Sequence, residues 1–382
     1  MQLQLDTGRK YALALEGGGA KGSYQVGAWR ALREAGIEVC AVSGTSVGAL
    51  NGALIVAGDL EKAEKVWREI RYSQVMNVDD DVMQKLVRGD LRGLDFHAAL
   101  RDLRGIVQSR GFDVTPLYEW MKTIVDEDTI RNSPTELFFV TYDLKEQREL
   151  ELRAKDLPQG TLHDMLLASS YLPVFHSDRL AGMHLADGGF RDVLPLHVLF
   201  ENGYRDVIAL RLFGVGIERK TEIPRTARVH TVAPTFDLGG TLDFSAEHSA
   251  VNMRAGYFDA KRMLYGLRGT AYYIDSQWDE RQAYTHMAGR ILRAAENNGR
   301  TLTLRELNET VLPRIAQRLG ARRGDYSELF IAASEAAAAE RGIDRWQIYT
   351  EEELLGLLGG HDIPAAAERV LREKHGIQIS LP

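Results

Sequence analysis

The chain opens with short apolar runs that alternate with longer segments of helical periodicity. Residues 11–15 are an apolar run that predicts a short buried strand, ended by a turn of three glycines at 17–19. The same pattern predicts a helix over about 22–35, a second strand over 39–43 and a second helix over about 47–57. Strand, helix, strand and helix within so few residues predict a parallel α/β core.

Beyond this opening, the stretch 59–132 is predicted to be mostly helical, and strands return after it. Thr161 and Asp164 have the spacing of a capping box, which predicts the start of a helix that ends near Leu172. Further strands are predicted at 136–142, 148–153, 183–186, 206–212, 228–232 and 271–274. A long helix is predicted at about 246–266, between the last two of these strands.

The strand patterns stop after about residue 278. Capping boxes at Thr303 with Glu306 and at Thr350 with Glu353 introduce further helices instead. A chain of 382 residues also exceeds what one hydrophobic core usually organises. We therefore predict an α/β domain over 8–278 and a helical C-terminal region over 279–382.

Composition and charge narrow the function classes. The chain has 45% hydrophobic and 26% charged residues, the balance of a globular protein, and a formal net charge of −7. This charge argues against nucleic acid as a partner, because a phosphate backbone is bound by clustered lysine and arginine. Cys40 is the only cysteine, so no internal disulfide and no thiolate metal site can form, which fits a reducing compartment.

One segment imitates a membrane span, because residues 39–58 carry no charge and Gly44, Gly48 and Gly52 follow small-xxx-small spacing. Its polar residues, Asn51 among them, make a strand, a tight turn and a buried helix the better interpretation. The apolar run near the N-terminus is too short for the core of a signal peptide. We therefore expect a cytoplasmic protein, with peripheral membrane contact and signal-independent export both left open.

The sequence Gly44-Thr45-Ser46-Val47-Gly48 fits the G-x-S-x-G pattern of a nucleophile elbow. A serine on a sharp strand-to-helix turn needs small neighbours, because side chains two residues away on either side would collide. The turn exposes the Ser46 hydroxyl and directs the N-terminus of the helix that begins at Val47 towards negative charge. The pattern is weak by itself, and its weight comes from the predicted strand before it and the predicted helix after it.

A glycine-rich turn follows the first predicted strand. Glycines let the backbone approach a ligand closely and direct amide hydrogens at an anion. If the first two strands lie side by side, the amides of Gly17, Gly18 and Gly19 could form an oxyanion hole together with the amide of Val47. Lys21 also lies in this turn, either near the anion or simply in solvent.

A third motif, Asp187-Gly188-Gly189, follows the strand predicted at 183–186. An aspartate at the end of a strand can accept the proton of Ser46, and the glycines leave room for a substrate. Alone, Asp-Gly is far more often a plain turn. His184 lies three residues before the aspartate and should face the opposite side of a strand, so it is not expected to take part.

These three motifs together resemble those of the patatin-like phospholipases. The segment Ala168-Ser169-Ser170-Tyr171-Leu172-Pro173 is also similar to the family's Ala-Ser…Pro stretch before the aspartate strand. The resemblance covers about residues 10–275 in order and spacing. It implies a three-layer α/β/α core, Ser46 as nucleophile with Asp187 as the only protein base, and oxyanion donors at Gly17 to Gly19. It also implies hydrolysis of acyl esters of glycerophospholipids through an acyl-enzyme.

The implied reaction needs no metal ion and no cofactor, and its partner is a phospholipid or another acyl ester, with homo-oligomerisation left open. Two alternatives remain. Gly17, Gly19 and Gly22 match the loose spacing of a dinucleotide-binding turn, so the Gly17–Gly22 loop could belong to a nucleotide-binding module. The C-terminal helices could instead assemble a non-catalytic scaffold. Headgroup, acyl-chain and positional preference are not readable from the sequence.

Overall fold

The structure is a computed structural model that describes residues 1–88, 111–177, 180 and 182–375. Part of the predicted helical stretch, residues 89–110, therefore lies outside the described residues. The chain divides into two compact units, Leu3–Leu264 and a second unit of Met1–Gln2 with Tyr265–Pro382. The predicted domain boundary at 278/279 stays a prediction.

The first unit contains the strands β1 (Lys10–Leu15), β2 (Glu38–Thr45), β3 (Phe112–Asp113), β4 (Glu136–Asp143), β5 (Arg148–Arg153), β6 (Phe175–His176), β7 (Leu185–Asp187), β8 (Asp206–Leu210) and β9 (Arg228–Val232). Its helices are α1 (Ser23–Glu34), α2 (Val47–Ala57), α3 (Leu60–Arg68), α4 (Tyr72–Val75), α5 (Asp80–Arg88), α6 (Thr115–Ile124), α7 (Glu127–Asn132), α8 (Leu162–Ser169), α9 (Leu196–Glu201) and α10 (Ala246–Tyr265). Single 3₁₀ turns occupy Gly19–Gly22, Ala154–Asp156 and Gly188–Phe190.

One sheet with the strand order β5-β4-β2-β1-β8-β9 organises the first unit. Neighbouring strands from β4 to β9 pair in parallel, whereas β4 pairs antiparallel with β5. The short strand β7 also pairs antiparallel with β4. The predicted α/β class with a mostly parallel central sheet is therefore confirmed, and the strand that ends at the aspartate motif, β7, is antiparallel to its neighbour.

Helices cover both faces of this sheet. On one face, small residues of β1 and β8 form a buried cluster with α9, made of Ala12, Ala14, Ala209, Val198 and Leu199 among others. On the other face, Gly52 of α2 lies against Leu15, Val42 and Leu137. Because Leu15 alternates with Ala14 along β1, the strand is buried from both sides, as a three-layer arrangement requires.

Helices α1 and α10 cross with their backbones in close contact. A Cβ atom on Gly27 of α1 would overlap the backbone of Met253, and one on Gly256 of α10 would overlap the carbonyl group of Tyr24. The Tyr24 hydroxyl donates to Asp259 of α10 at 2.9 Å. Two glycines thus set the separation of these helices, and α1 carries the glycine-rich turn at its N-terminus.

The second unit is mostly helical. Its elements are α11 (Glu280–Asn297), α12 (Leu304–Glu306), a π-helical turn (Leu307–Val311), α13 (Leu312–Leu319), α14 (Tyr326–Glu340), α15 (Glu351–Leu358) and α16 (Ala365–His375), with the short strands β10 (Tyr273–Ile274) and β11 (Ile348–Tyr349). The longer helices share one buried core, which includes Ile291, Phe330 and Leu354. Both predicted capping boxes, at Thr303 and at Thr350, are present.

Two further predictions are wrong in detail. Strands do not stop after residue 278, because β11 pairs in parallel with β10; two residues are too short a strand to leave a pattern in the sequence. Thr161 precedes α8 but makes no capping hydrogen bond to it. Its hydroxyl donates to the carbonyl of Pro158 at 2.7 Å, a local bond that competes with the cap.

No helix in the described ranges is both long and apolar enough to cross a lipid bilayer. The uncharged segment 39–58 forms most of β2, a turn and α2.

Replacement of glycine by alanine is expected to change stability in opposite directions at two helical positions, Gly27 in the crossing of α1 with α10 and Gly356 in α15. Gly27→Ala is expected to lower the free energy of unfolding of the first unit by about 2–3 kcal/mol, because the added Cβ forces the helices apart. Gly356→Ala, with no described atom within 4 Å of its added Cβ, should raise that of the second unit by up to about 1 kcal/mol. Denaturant unfolding of both variants checks this, and effects of equal sign would contradict it.

Candidate active site

Strand β4 brings Ser46 and Asp187 to adjacent positions. Strand β2 pairs with β4 as far as Thr45, which lies opposite Val140, and β7 places Asp187 opposite the next residue, Thr141. Strand β5 occupies the other edge of β4 along these residues. Strands β2 and β7 therefore approach each other end to end along one edge, and Ser46, the residue after β2, meets the end of β7 there.

The turn that carries Ser46 is sharp and strained. Ser46 has φ 56° and ψ −126°, a backbone conformation that residues with side chains rarely adopt. A Cβ atom on Gly44 would overlap the backbone of Gly48, and one on Gly48 would overlap the carbonyl of Leu15. Neither glycine of the G-x-S-x-G pattern can therefore carry a side chain, because backbone atoms occupy the place of its Cβ.

The C-terminal end of α8 and the residues directly after it hold both the serine and the aspartate. The Ser169 hydroxyl accepts the backbone N–H of Ser46 at 3.1 Å and donates to the carbonyl of Val140 at 2.7 Å. The carbonyl of Tyr171 accepts the N–H of Asp187 at 2.9 Å. Both residues belong to the stretch 168–173, which the sequence identified only through its resemblance to a family pattern. Their positioning contacts could not be read from it.

The carboxyl group of Asp187 is buried, with its two oxygens in different situations. Oδ1 accepts the N–H of Gly189 at 2.7 Å, whereas no described group makes a hydrogen bond of normal geometry to Oδ2. Burial raises the pKa of Asp187 from 3.8 to about 6, and the neighbouring Ser46 hydroxyl and the Gly189 N–H offset part of the rise. Such a carboxylate is ionised at neutral pH and basic enough to accept a proton.

The glycine-rich turn lies against the serine turn, since a Cβ atom on Gly17 would be 3.3 Å from the Cβ of Ser46. The N–H of Gly17 donates to a carbonyl in the loop before α9 at 2.9 Å, so the expectation that Gly17 is an oxyanion donor is wrong. No hydrogen bond among the described residues uses the N–H of Gly18, Gly19 or Val47. Gly19, Ser46 and Val47 also line the same cavity.

The other motif residues have packing roles. A Cβ atom on Gly22 would overlap the side chain of Val47, and one on Gly188 would lie 2.5 Å from the carbonyl oxygen of Val140. Lys21 does not face the serine, because its Nζ donates to the carbonyl of Phe213 at 3.4 Å. Gly189 contributes the N–H that Asp187 accepts.

Glu16 is a residue of the site that the sequence did not single out. Its buried carboxylate accepts Nε–H of Arg211 at 2.7 Å and the N–H groups of Leu212 and Gly214 at 2.8 and 3.1 Å. These bonds lay residues 211–214 over the glycine-rich turn. An acidic residue directly before a glycine run was the available signal, but its partner lies 195 residues away along the chain.

This arrangement does not favour a nucleotide-phosphate site. Such a site needs several free amides on the concave side of the turn. The N–H of Gly17 is engaged, and that of Ala20 donates to the carbonyl of Thr241 at 2.8 Å. Residues 212–214 cover the turn, and a buried carboxylate lies directly before it.

An apolar cavity of about 60 Å³ opens at Ser46. The indole N–H of Trp67 donates to Asn51 at 2.9 Å, which fixes that ring in the wall. No histidine is among the lining residues in the described part of the chain. His184 is exposed and has φ 53°, outside β7. The apolar lining comes mainly from α2, α3 and α6, with Leu50, Leu54, Val66, Trp67, Leu117, Trp120, Met121 and Ile124.

Within the described ranges, one group of three metal-capable side chains lies close together, formed by Glu149, Glu151 and His197. Nδ1 of His197 lies 2.9 Å from Asp192, Nε2 lies 3.0 Å from Glu149, and Arg219 lies 3.3 Å from Glu149. Burial lowers the pKa of His197, but Asp192 and Glu149 outweigh it and raise the pKa to about 10. Both ring nitrogens of His197 face carboxylates, so this group forms an ion-pair cluster around the imidazole.

Comparison with known proteins shows which family this sequence resembles. A family model described as patatin-like phospholipase matches residues 13–200. A patatin-like phospholipase domain-containing protein of Caenorhabditis elegans is 32% identical over 203 residues, which are 53% of this chain and 14% of that protein. Lysophospholipase NTE1 of Cryptococcus neoformans var. neoformans is 28% identical over 208 residues, which are 53% of this chain and 11% of that protein. The chain therefore spans only a small part of these curated relatives.

Among solved structures, VipD from Legionella pneumophila aligns with 94% of this chain and 89% of its own, at 14% identity and a TM-score of 0.43.

The buried carboxyl group predicts that Asp187→Asn stabilises the first unit at about pH 8. Because the folded-state pKa of Asp187 is above 3.8, the folded protein binds this proton more tightly than the unfolded chain. The carboxylate therefore destabilises the fold above about pH 6, by at most about 3 kcal/mol, and this penalty fades as the pH falls through 6 towards 4. The asparagine oxygen can still accept the Gly189 N–H.

Thermal unfolding of wild type and Asp187→Asn at about pH 8 and pH 4.5 measures this effect. The gain in stability should be large at the higher pH and small at the lower one. A gain that does not change with pH, or a loss at about pH 8, would contradict the buried ionised state.

Proposed function

The chain belongs to the patatin-like phospholipase family through residues 13–200, and we propose that it hydrolyses acyl esters of glycerophospholipids or related lipids. The observation that carries this proposal is the meeting of Ser46 with a buried carboxylate at the junction of β2 and β7. Free backbone N–H groups and an apolar cavity adjoin the same serine. The relative described as a lysophospholipase supports a lipid substrate.

In the proposed reaction, Asp187 Oδ2 accepts the proton of Ser46 while Oγ attacks the ester carbonyl carbon. The negative charge on the carbonyl oxygen is stabilised by N–H groups of Gly18, Gly19 and Val47 and by the N-terminus of α2. The tetrahedral intermediate then collapses. The alcohol leaves with the proton from Asp187, and the acyl group remains on Ser46 as an ester.

Water completes the cycle. Asp187 accepts a proton from a water molecule whose oxygen attacks the acyl-enzyme, and the second tetrahedral intermediate releases the fatty acid as Ser46 regains its proton. The part of the acyl chain nearest the ester lies in the cavity between α2, α3 and α6, where its methylene groups replace water against apolar walls. We place all of these groups in the predicted domain 8–278 and assign no catalytic residue to 279–382. The cytoplasmic location stays a prediction.

Replacement of either side chain of the proposed dyad tests this mechanism. Ser46→Ala and Asp187→Asn are each expected to lower fatty-acid release from lysophosphatidylcholine by about a thousandfold or more, because nucleophile and base act as one unit. A fluorophosphonate probe should label wild type and fail to label Ser46→Ala.

Ser249→Ala is the matched control, since this hydroxyl is buried and has no hydrogen-bond partner in the described structure. It should keep activity within about twofold of wild type. Substantial hydrolysis by either dyad variant would rule out the dyad, and labelling of Ser46→Ala would place the nucleophile elsewhere.

The raised pKa of Asp187 also predicts the pH dependence of the reaction. Only the ionised carboxylate can accept the serine proton, so kcat/KM should rise with pH around a midpoint of about 6 and fall about tenfold per pH unit below it. Initial rates on an uncharged short-chain p-nitrophenyl ester measure this profile, with circular dichroism to confirm an intact fold at each pH. A midpoint near 4 would contradict the buried environment of the carboxylate.

A further inference from the structure

We propose that residues 213–217 form an apolar tip that docks the protein on the surface of a phospholipid bilayer. In the segment Phe213-Gly214-Val215-Gly216-Ile217, large apolar residues alternate with glycines. The three large side chains are 57%, 87% and 55% exposed, in chain order. Single exposed apolar residues are common on proteins, but three at alternate positions of one short segment concentrate exposed apolar area in one place.

The glycines of this segment face the opposite way, onto the candidate site. A Cβ atom on Gly214 would overlap the carbonyl of Gly17, and one on Gly216 would lie 2.8 Å from the carbonyl oxygen of Gly189. The N–H of Ile217 donates to that same Gly189 oxygen at 2.9 Å. The backbone of the segment is therefore fixed on both turns of the site, and the apolar side chains project from its rim.

Hydrogen bonds to the backbone hold the segment in this position. The N–H of Gly214 donates to Glu16 at 3.1 Å, and Nζ of Lys21 donates to the carbonyl of Phe213 at 3.4 Å. The carbonyl of Ile217 accepts an N–H from the loop before α9 at 2.8 Å. A loop held by its backbone keeps its apolar side chains in solvent. A flexible loop, by contrast, would be free to fold them inward.

The surroundings of this tip suit a lipid surface. Phe190, directly after Gly189, is a further exposed aromatic residue beside the same turn. Within residues 218–226, Glu218 pairs with Arg211 and Arg219 with Glu149. The exposed charges that remain are Lys220, Glu222 and Arg225, a small local excess of positive charge in a chain of net charge −7. Apolar side chains at acyl depth with basic side chains at headgroup depth are the usual composition of interfacial membrane contacts.

The choice of a bilayer as the occupant rests on the proposed function, because a lipid acyl hydrolase has to reach substrate that resides in a membrane. The docking contact itself uses none of the proposed catalytic groups. Binding and catalysis can therefore be tested separately.

Vesicle binding by the full chain tests the proposal, in a Ser46→Ala background so that no lipid is hydrolysed. The protein should co-sediment with phosphatidylcholine vesicles, and Phe213→Ser together with Val215→Ser should lower the partition coefficient by about tenfold or more. Leu304→Ser, which removes a 63% exposed side chain from the second unit, should leave it unchanged. Binding should persist at high salt, because apolar contacts are not screened.

Unchanged vesicle binding by the double variant would overturn the proposal, as would an equal loss caused by Leu304→Ser or a loss of binding at high salt. With Ser46 intact, the double variant should keep the wild-type rate on a monomeric short-chain ester and lose rate on vesicles. Inactivity of the wild type on both substrates, with vesicle binding intact, would refute the proposed function and leave the docking surface standing.

A gain-of-binding variant guards against simple misfolding. Val215→Trp places an aromatic ring at the most exposed position of the tip, where it suits the membrane interface. It should strengthen vesicle binding. The parent protein has five tryptophans, so its fluorescence is subtracted, and the remaining emission of the new tryptophan should shift to shorter wavelength on vesicles. A well-folded Val215→Trp protein with no such shift would overturn the proposal.

Discussion

The end-to-end pairing of β2 and β7 along one edge of β4 is the constraint on which the candidate site depends. A parallel strand that stops opposite Val140 and an antiparallel strand whose last residue lies opposite Thr141 must meet, whatever their loops do. Because Val140 and Thr141 are consecutive residues of β4, the hydrogen-bond ladder brings the end of β2, and with it Ser46, next to Asp187. The end of α8 and the segment after it reinforce this approach, because Ser169 accepts the backbone N–H of Ser46 and Tyr171 accepts that of Asp187.

The same geometry supports the proposed role of Asp187 as a base that acts without a histidine. At the inner end of β7 the carboxylate loses most of its hydration, and one hydrogen bond from Gly189 does not replace it. Its proton affinity rises as the stability of the fold falls, so reactivity and stability oppose each other at this position. The strained backbone of Ser46 adds to that cost, and the surrounding sheet must supply the compensating stability.

Sequence patterns predicted the parts of this site that depend on neighbouring residues. The order β1, α1, β2, α2 followed from periodicity, and the glycines beside Ser46 followed from the sterics of a sharp turn. The pairing of Asp187 with Ser46 came from resemblance to a family, because no local pattern states that β7 shares an edge with β2. The bond between Glu16 and Arg211 and the engaged N–H of Gly17 were missed for the same reason, since their partners are more than 170 residues away along the chain.

The loop at 192–195 shows why the Gly17 N–H is used for structure. Three of its carbonyl groups accept hydrogen bonds of 2.9 Å from the Thr45 hydroxyl, the Gly17 N–H and the Ser43 hydroxyl. This loop directly follows the Asp-Gly-Gly turn, so it ties the aspartate, the serine strand and the glycine-rich turn into one framework. If Gly17 turned its N–H towards a substrate, the framework would lose the bond that keeps Gly18 and Gly19 beside Ser46. For the proposed oxyanion hole, two free glycine amides with Val47 on a fixed turn are therefore a better arrangement than three amides on a loose one.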